Sequence, residues 1–357
     1  MDPAALIPEA LPIPVAWGWF YAFLLLTFIL HLLVMNIMLG SSIIALIHHL
    51  RGKTETEPLT HDIALKLPFT IAFAVNFGVA PLLFLQVLYG QFLYTSSVLM
   101  AVYWLAVIGL VIMAYLSAYI YDFKYASLGT LKAVLLLIVT LCLLATAFIY
   151  TNNMTLMLNP QVWTGYFDNP GGTLLNLSDP TLIPRYLHFV VASMAVAGLF
   201  IALIWSHKAN RGETGAQRWV RHGMTWFAYA SIAQIAVGLW FLVALPQPIL
   251  LLFMGGSNLH TTVLLVGVSL AVLTVITAMR HKVYLTAGLL TATVSVMVFQ
   301  RDLVRDAYLS PYFDVSARAV TGEFLPLILF VVTLAAGLVV VAWMLKLAAE
   351  AGKEAQS

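Results

Sequence analysis

Three of the nine histidines stand inside or at the head of long apolar runs. His31 lies within "TFILHLLVMNIMLG", His188 near the start of "PRYLHFVVASMAVAG", and His260 near the start of "NLHTTVLLVG". An imidazole in such a place is either a hydrogen-bonded edge residue or a metal ligand. From His188 the helical face continues through Ala192 and Ala195 with Gly198 nearby, so a flat group could approach the backbone. From His260 it continues through Val263 to Gly267. Small residues one and two turns away are what a porphyrin plane needs, and two such helices at equal depth could sandwich one b-type haem. Arg185, three residues before His188, would then meet the propionates through charge-assisted hydrogen bonds.

The elements that must position these groups follow from composition. The chain of 357 residues is 62% hydrophobic and 9% charged, too few polar side chains to cover a water-soluble surface. It reads as an all-α, polytopic membrane bundle. A net charge of +2 gives no reason to expect nucleic acid or an acidic partner. A single cysteine, Cys142, excludes disulfides, iron–sulfur clusters and covalently attached c-type haem within the chain. The first sixteen residues carry Asp2 and Glu9 and no basic residue, so they do not read as a signal peptide.

Nine apolar segments reach spanning length, at about 17–47, 65–95, 98–122, 130–152, 185–206, 222–245, 259–279, 283–304 and 323–346. With the N-terminus outside and the C-terminus cytoplasmic, thirteen Lys and Arg, Lys53 among them, fall in cytoplasmic segments, and only Arg185, Arg301, Arg305 and Arg318 fall outside. No repeat or linker divides the chain, so residues 1–357 are expected to form one membrane domain. The longest outer loop, 153–184, is rich in Asn, Pro and Gly and is the expected surface for a partner or substrate portal. His48, His49, His61, His207, His222 and His281 cluster at the cytoplasmic edge and read as solvated interfacial residues. No span carries a carboxylate at its middle, which counts against a proton pump or ion-coupled transporter.

In order and spacing these segments resemble the large haem-bearing subunit of cytochrome bd quinol oxidases. The resemblance is carried by "HLLVMNIMLG" in the first span, "NFGVAPLLFLQVLYG" in the second, "NNMTLMLNP" ending the fourth, "RYLHFVVAS" in the fifth and "VRDAYLSPYF" ending the eighth. It implies a low-spin haem b on His188 and a role for His31 as ligand of a further haem. The departures are equally specific. Residues 98–121 contain none of the third-span glutamates that serve the oxygen site in that family, and "TVSVMVFQ" offers Gln300 in place of an eighth-span glutamate. The quinol-binding loop between spans six and seven shrinks to "PQPILLLFMGGSN". The family's methionine ligand on span seven has no in-register match; His260 lies about one turn outward and Met254 falls in the loop.

The expected function is therefore that of a bacterial inner-membrane, haem b-containing respiratory electron-transfer subunit without an oxidase site. It would carry one to three haems and exchange electrons between quinol or quinone and a periplasmic c-type cytochrome, single- or multihaem, alongside other membrane subunits. Arg301 and Arg305 share one helical face near the outer end of span eight, and Asp302 and Asp306 share a neighbouring one. The group is either a surface ion-pair ladder or a set serving propionates and quinol protons together. A quinol oxidase with unfamiliar ligands and a haem-free transporter or quinone anchor remain as alternatives.

Overall fold

The computed structural model describes residues 3–52 and 54–354; Asp2 and Lys53 lie outside them. Among the described residues, nine helices are long and apolar enough to cross a membrane. They are α1 (Trp17–Leu50), α2 (Glu57–Leu99), α3 (Ala101–Phe123), α4 (Leu131–Leu158), α5 (Leu182–Asn210), α6 (Ala216–Ala244), α8 (Asn258–Met279), α9 (Val283–Leu309) and α10 (Leu325–Glu354). A short helix α7 (Gln247–Leu251) and a wide turn over 252–256 join α6 to α8. The protein is a multi-pass membrane helical bundle, and a lone bridge between Ile13 and Val320 is the single β-type pairing among the described residues.

All nine expected spans are present, and several helices run past their expected ends. Asn153 was expected to open the outer loop directly after Asn152, yet α4 continues to Leu158 and buries both. The loop begins at Asn159, winds through a tight helical stretch over Pro160–Phe167, and reaches α5 at Leu182. Asn side chains suit this junction because they can bond to backbone: Asn152 Oδ1 accepts from the Asn176 backbone N–H at 3.2 Å. Likewise α9 extends to Leu309, which brings Arg301, Asp302, Arg305 and Asp306 into one helix instead of its frayed end.

Small residues set how closely the helices approach. A side chain at Gly40 of α1 would collide with the Ser193 carbonyl and Ala197 of α5. One at Gly198 of α5 would lie 2.7 Å from the Gly223 carbonyl of α6. Where apolar faces meet apolar lipid, such close backbone contact is what holds helices together. Gly198, read from sequence as room for a flat ligand, is thus occupied by α6.

Two ends of the bundle differ in chemistry. The end at which α1, α3 and α5 finish carries most of the lysines and arginines and is called here the basic end; the other carries the segment 159–181 and is called the loop end. At the basic end the histidines are more ordered than solvated edge residues would be. His48 is buried, with its Nε2 3.0 Å from His222 Nε2, and Trp226 Nε1 donates to His222 at 3.1 Å. His49 Nε2 lies 2.8 Å from the Tyr121 hydroxyl. Burial of the Tyr125 hydroxyl nearby pushes its pKa up. At the loop end, α2 breaks its helical geometry at Tyr89 (φ −131°, ψ 31°), which leaves carbonyls seeking donors. Arg318 fills that need: its guanidinium donates to the carbonyls of Val87, Leu88 and Leu11. The backbone of Ile13 pairs with Ala319 and Thr321, closing a clasp between residues 11–14 and 318–323.

Candidate functional site

A cavity of about 270 Å³ lies among α1, α5, α6, α8 and α9. Two turns of α5 build its chemical wall: Arg185 and His188 face it, followed by Ala192 and Ala195. The opposite helix α6 presents Gly238, where an added Cβ would stand 3.1 Å from His188 Cε1. The imidazole therefore lies against bare backbone of the neighbouring helix. No described residue hydrogen-bonds to His188, and its Nδ1 is buried without a partner.

Two guanidinium groups meet this cavity, and neither forms an ion pair among the described residues. Arg185 is buried, stacks 4.9 Å from the centre of the Phe241 ring, and leaves Nε without a partner. Arg301 reaches in from α9, stacks 4.4 Å from the Phe28 ring centre and places Nη2 3.6 Å from Met154 Sδ. Burying a cation without a carboxylate costs several kcal/mol, roughly, in a low-dielectric interior. Two together repel one another as well. Aromatic faces offset part of that cost; an anion in the cavity would offset the rest.

Of the residues singled out in the sequence, the structure brings His188, Arg185 and Arg301 together here. Ala192, Ala195, Gly267 and Gln300 line it as well, while Arg305, His260, Met254 and His31 do not. Arg305, one turn from Arg301, turns away to pair with Asp302 and lies 4.4 Å from the Tyr89 ring centre, while the Tyr89 hydroxyl donates to Asp306 at 2.9 Å. Asp302 and Arg305 are 1% and 2% exposed, so the expected surface ladder is an internal pair. His260 sits in the first turn of α8 with Nδ1 2.8 Å from Ser257 Oγ and its ring edge against Phe253. It is not among the residues facing the cavity. Met254 is exposed in the wide turn. His31 sits between α1 and α2, its Nδ1 3.0 Å from the Ala74 carbonyl and its ring close to Gly78.

Sequence reasoning passed over three cavity residues. Met297 faces the cavity one turn before Arg301, a spacing of four that puts both on one face of α9. Asn36 and Gln234 face it from α1 and α6, and each leaves its side-chain oxygen unpartnered. Their signal was an amide in an otherwise apolar span. Among the described residues there is no group of three or more His, Cys, Asp and Glu side chains arranged to hold a metal ion.

Fold and site together define a class: a membrane helical bundle enclosing a cavity with one imidazole and two guanidinium groups that form no ion pair among the described residues. No protein-family model matches the chain, and no curated protein matches it. Among solved structures, the bd oxidase from Geobacillus thermodenitrificans is similar, with a TM-score of 0.67 and 14% identity over 96% of this chain and 96% of that one. The chain thus has a bd oxidase-like fold along nearly its whole length, as the resemblance in its spans implied.

Proposed function

We propose that the protein is a haem b-bearing respiratory subunit that exchanges electrons between membrane quinol or quinone and a c-type cytochrome. The observation that carries this reading is the meeting of His188, Arg185 and Arg301 at one cavity, with no hydrogen-bond partner for the imidazole and no ion pair for either cation among the described residues. A dianionic porphyrin fits each of these groups. His188 would hold its iron, Met297 is a second side chain in the cavity able to do so, and Arg185 and Arg301 would hold the propionates. Ala192, Ala195 and Gly238 leave the macrocycle room. Bound there, haem supplies one-electron transfer.

The chain's own residues do the rest. The two guanidinium groups offset the propionate charge and favour the reduced iron by their field. Phe28 and Phe241 keep those groups in place by stacking and keep water from them. With Arg185 and Arg301 toward the loop end, the group would lie near the face that the positive-inside rule expects outside the cytoplasm. Electrons would leave there to a partner docking on 159–181, since one cysteine cannot attach c-type haem. The bacterial inner membrane is the setting this orientation implies.

A reduced-minus-oxidised spectrum of the purified full-length chain tests the reading. A b-type band without a haem d band is the expected result, with negligible oxygen uptake from excess quinol. No haem, or rapid oxygen consumption, would overturn it.

A further inference from the structure

At the basic end, outside the cavity, two lysines converge on one carboxylate across a groove. The helices α2 and α5 both pack on α1. Asp62 of α2 accepts from Lys66 Nζ at 2.5 Å and from Lys208 Nζ of α5, 146 positions along the chain, at 3.0 Å. The carboxylate is buried, whereas the lysine side chains are 34% and 28% exposed. Among the described residues neither lysine pairs with a second carboxylate. One negative charge therefore answers two positive ones, and the surplus faces outward. N–H groups are left over as well: an ammonium carries three, and Lys208 gives one to Asp62 while resting 3.9 Å from the Trp205 ring centre. Deeper along the same groove is a narrow cleft of about 10 Å³, where Leu67 and Thr70 of α2 face Phe200, Ile201 and Ile204 of α5. Ser41 of α1 lines it too; it is 5% exposed, and its hydroxyl has no hydrogen-bond partner among the described residues.

We propose that this groove binds an acidic phospholipid, with its phosphodiester at Lys66 and Lys208 and one acyl chain along Leu67, Phe200 and Ile204. The proposal stands apart from the haem reading, since none of these residues faces the cavity of His188. Three features favour this occupant. The first is sign. Surplus ammonium groups between membrane helices attract an anionic head group, whereas a choline or ethanolamine head would bring its own cation to the same place. The second is size. The cleft has room for about one water-sized group, so its ligand must lie mostly outside the protein. A small soluble anion would stay in water; a lipid is kept at the groove by its chains. The third is the order of polarity with depth: charge at the basic end, then a lone unpartnered hydroxyl among apolar side chains. The Ser41 hydroxyl can donate to an ester carbonyl, the group that lies between phosphate and acyl chain in a phospholipid.

Native mass spectrometry of the full-length chain, released from detergent micelles carrying equal phosphatidylglycerol and phosphatidylcholine, tests this. The unaltered chain should retain phosphatidylglycerol in preference to phosphatidylcholine. Lys66→Gln and Lys208→Gln should each lower that preference roughly fivefold, the worth of one basic group at a membrane surface. Asp62→Asn should raise it, because the carboxylate that competes for both ammonium groups is gone; lysines that serve only to tie α2 to α5 would give no rise. Arg218→Gln removes an equally basic but exposed group, paired with Glu55, and should change nothing. Equal retention of the two lipids, an equal loss in Arg218→Gln, or no rise in Asp62→Asn overturns the proposal. So does displacement by millimolar glycerol phosphate, which would make the group a plain anion site. The lipid comparison on the unaltered chain decides even where a variant misfolds.

Discussion

His188 and His31 occupy matching settings and have met different fates. Each lies on a long apolar helix, and each ring rests against a glycine of the neighbouring helix, Gly238 for one and Gly78 for the other. His31 has a backbone partner, the Ala74 carbonyl, and so ties α1 to α2. His188 has none and faces a cavity shared with two cations. The type of residue and the space beside it are therefore poor guides to role. What separates the two is one ring atom: the chain provides a partner for Nδ1 of His31 and none for Nδ1 of His188. A buried donor left unmatched by the chain points to something outside the chain.

The sharpest way to break this contrast is to remove each ring. His188→Ala should abolish the low-spin b-type spectrum while the chain still inserts, because insertion depends on apolar length and basic loops; a surviving spectrum would sink the assignment. His31→Ala should leave haem content per chain unchanged and lower the thermal midpoint, through loss of one hydrogen bond of about 1 kcal/mol. Pyridine haemochrome assay checks it, and a halved haem content would instead give His31 a haem of its own, as the family resemblance implied.

Next in size come the cations. Arg185→Leu or Arg301→Leu should weaken haem retention roughly tenfold to a hundredfold, the worth of a charged hydrogen bond of about 1.5–3 kcal/mol, measured as haem lost on dilution in detergent. Arg305→Leu should leave retention alone and destabilise the fold, since it strands Asp302. The glycines refine the comparison further. Gly238→Ala should shift the haem band without loss of haem, because the His188 ring must move by a few tenths of an ångström. Gly78→Ala, whose Cβ would come within 2.9 Å of His31 Cε1, should change stability and leave the band alone. The smallest effect concerns a site outside the helices. Ser316 donates to Asp314 from its hydroxyl and its backbone N–H, which holds that carboxyl below the usual range. A lowered carboxyl pKa stabilises the fold above the ordinary value and ceases to do so as pH falls through the lowered one. Amide exchange over 314–318 should therefore quicken in acid, and Asp314→Asn should remove that dependence.

The spans were legible because apolar length is a local property that needs no knowledge of the fold. So was the His188 face, whose small residues are spaced along one helix. Gly198 misled because the same smallness that admits a ligand also admits a helix, and only the position of Gly223 decides between them. Arg301 and Arg305 share a face in sequence, yet one turn of α9 carries them from the cavity to the Tyr89 side of the bundle. His48 and His222 lie 174 positions apart, and nothing local announces their contact. Asn36 and Gln234 were hidden for the same reason: an amide in an apolar span declares its purpose only when its neighbours fail to bond it.

The clasp at the loop end also constrains how the chain is made. Leu11 and Arg318 are 307 positions apart, yet the guanidinium of one holds the carbonyl of the other. At roughly 5–20 residues per second, a ribosome needs on the order of 15–60 s to cover that interval. Throughout that time the backbone of residues 11–14 lacks its pairing with 318–323, and the carbonyls at the Tyr89 bend of α2 lack their donor. Membrane insertion can proceed span by span, but closure of the loop end must await the stretch that precedes the last helix. A chain stalled before residue 318 should therefore be inserted, open at that end, and visible to quality-control proteases through its earliest residues.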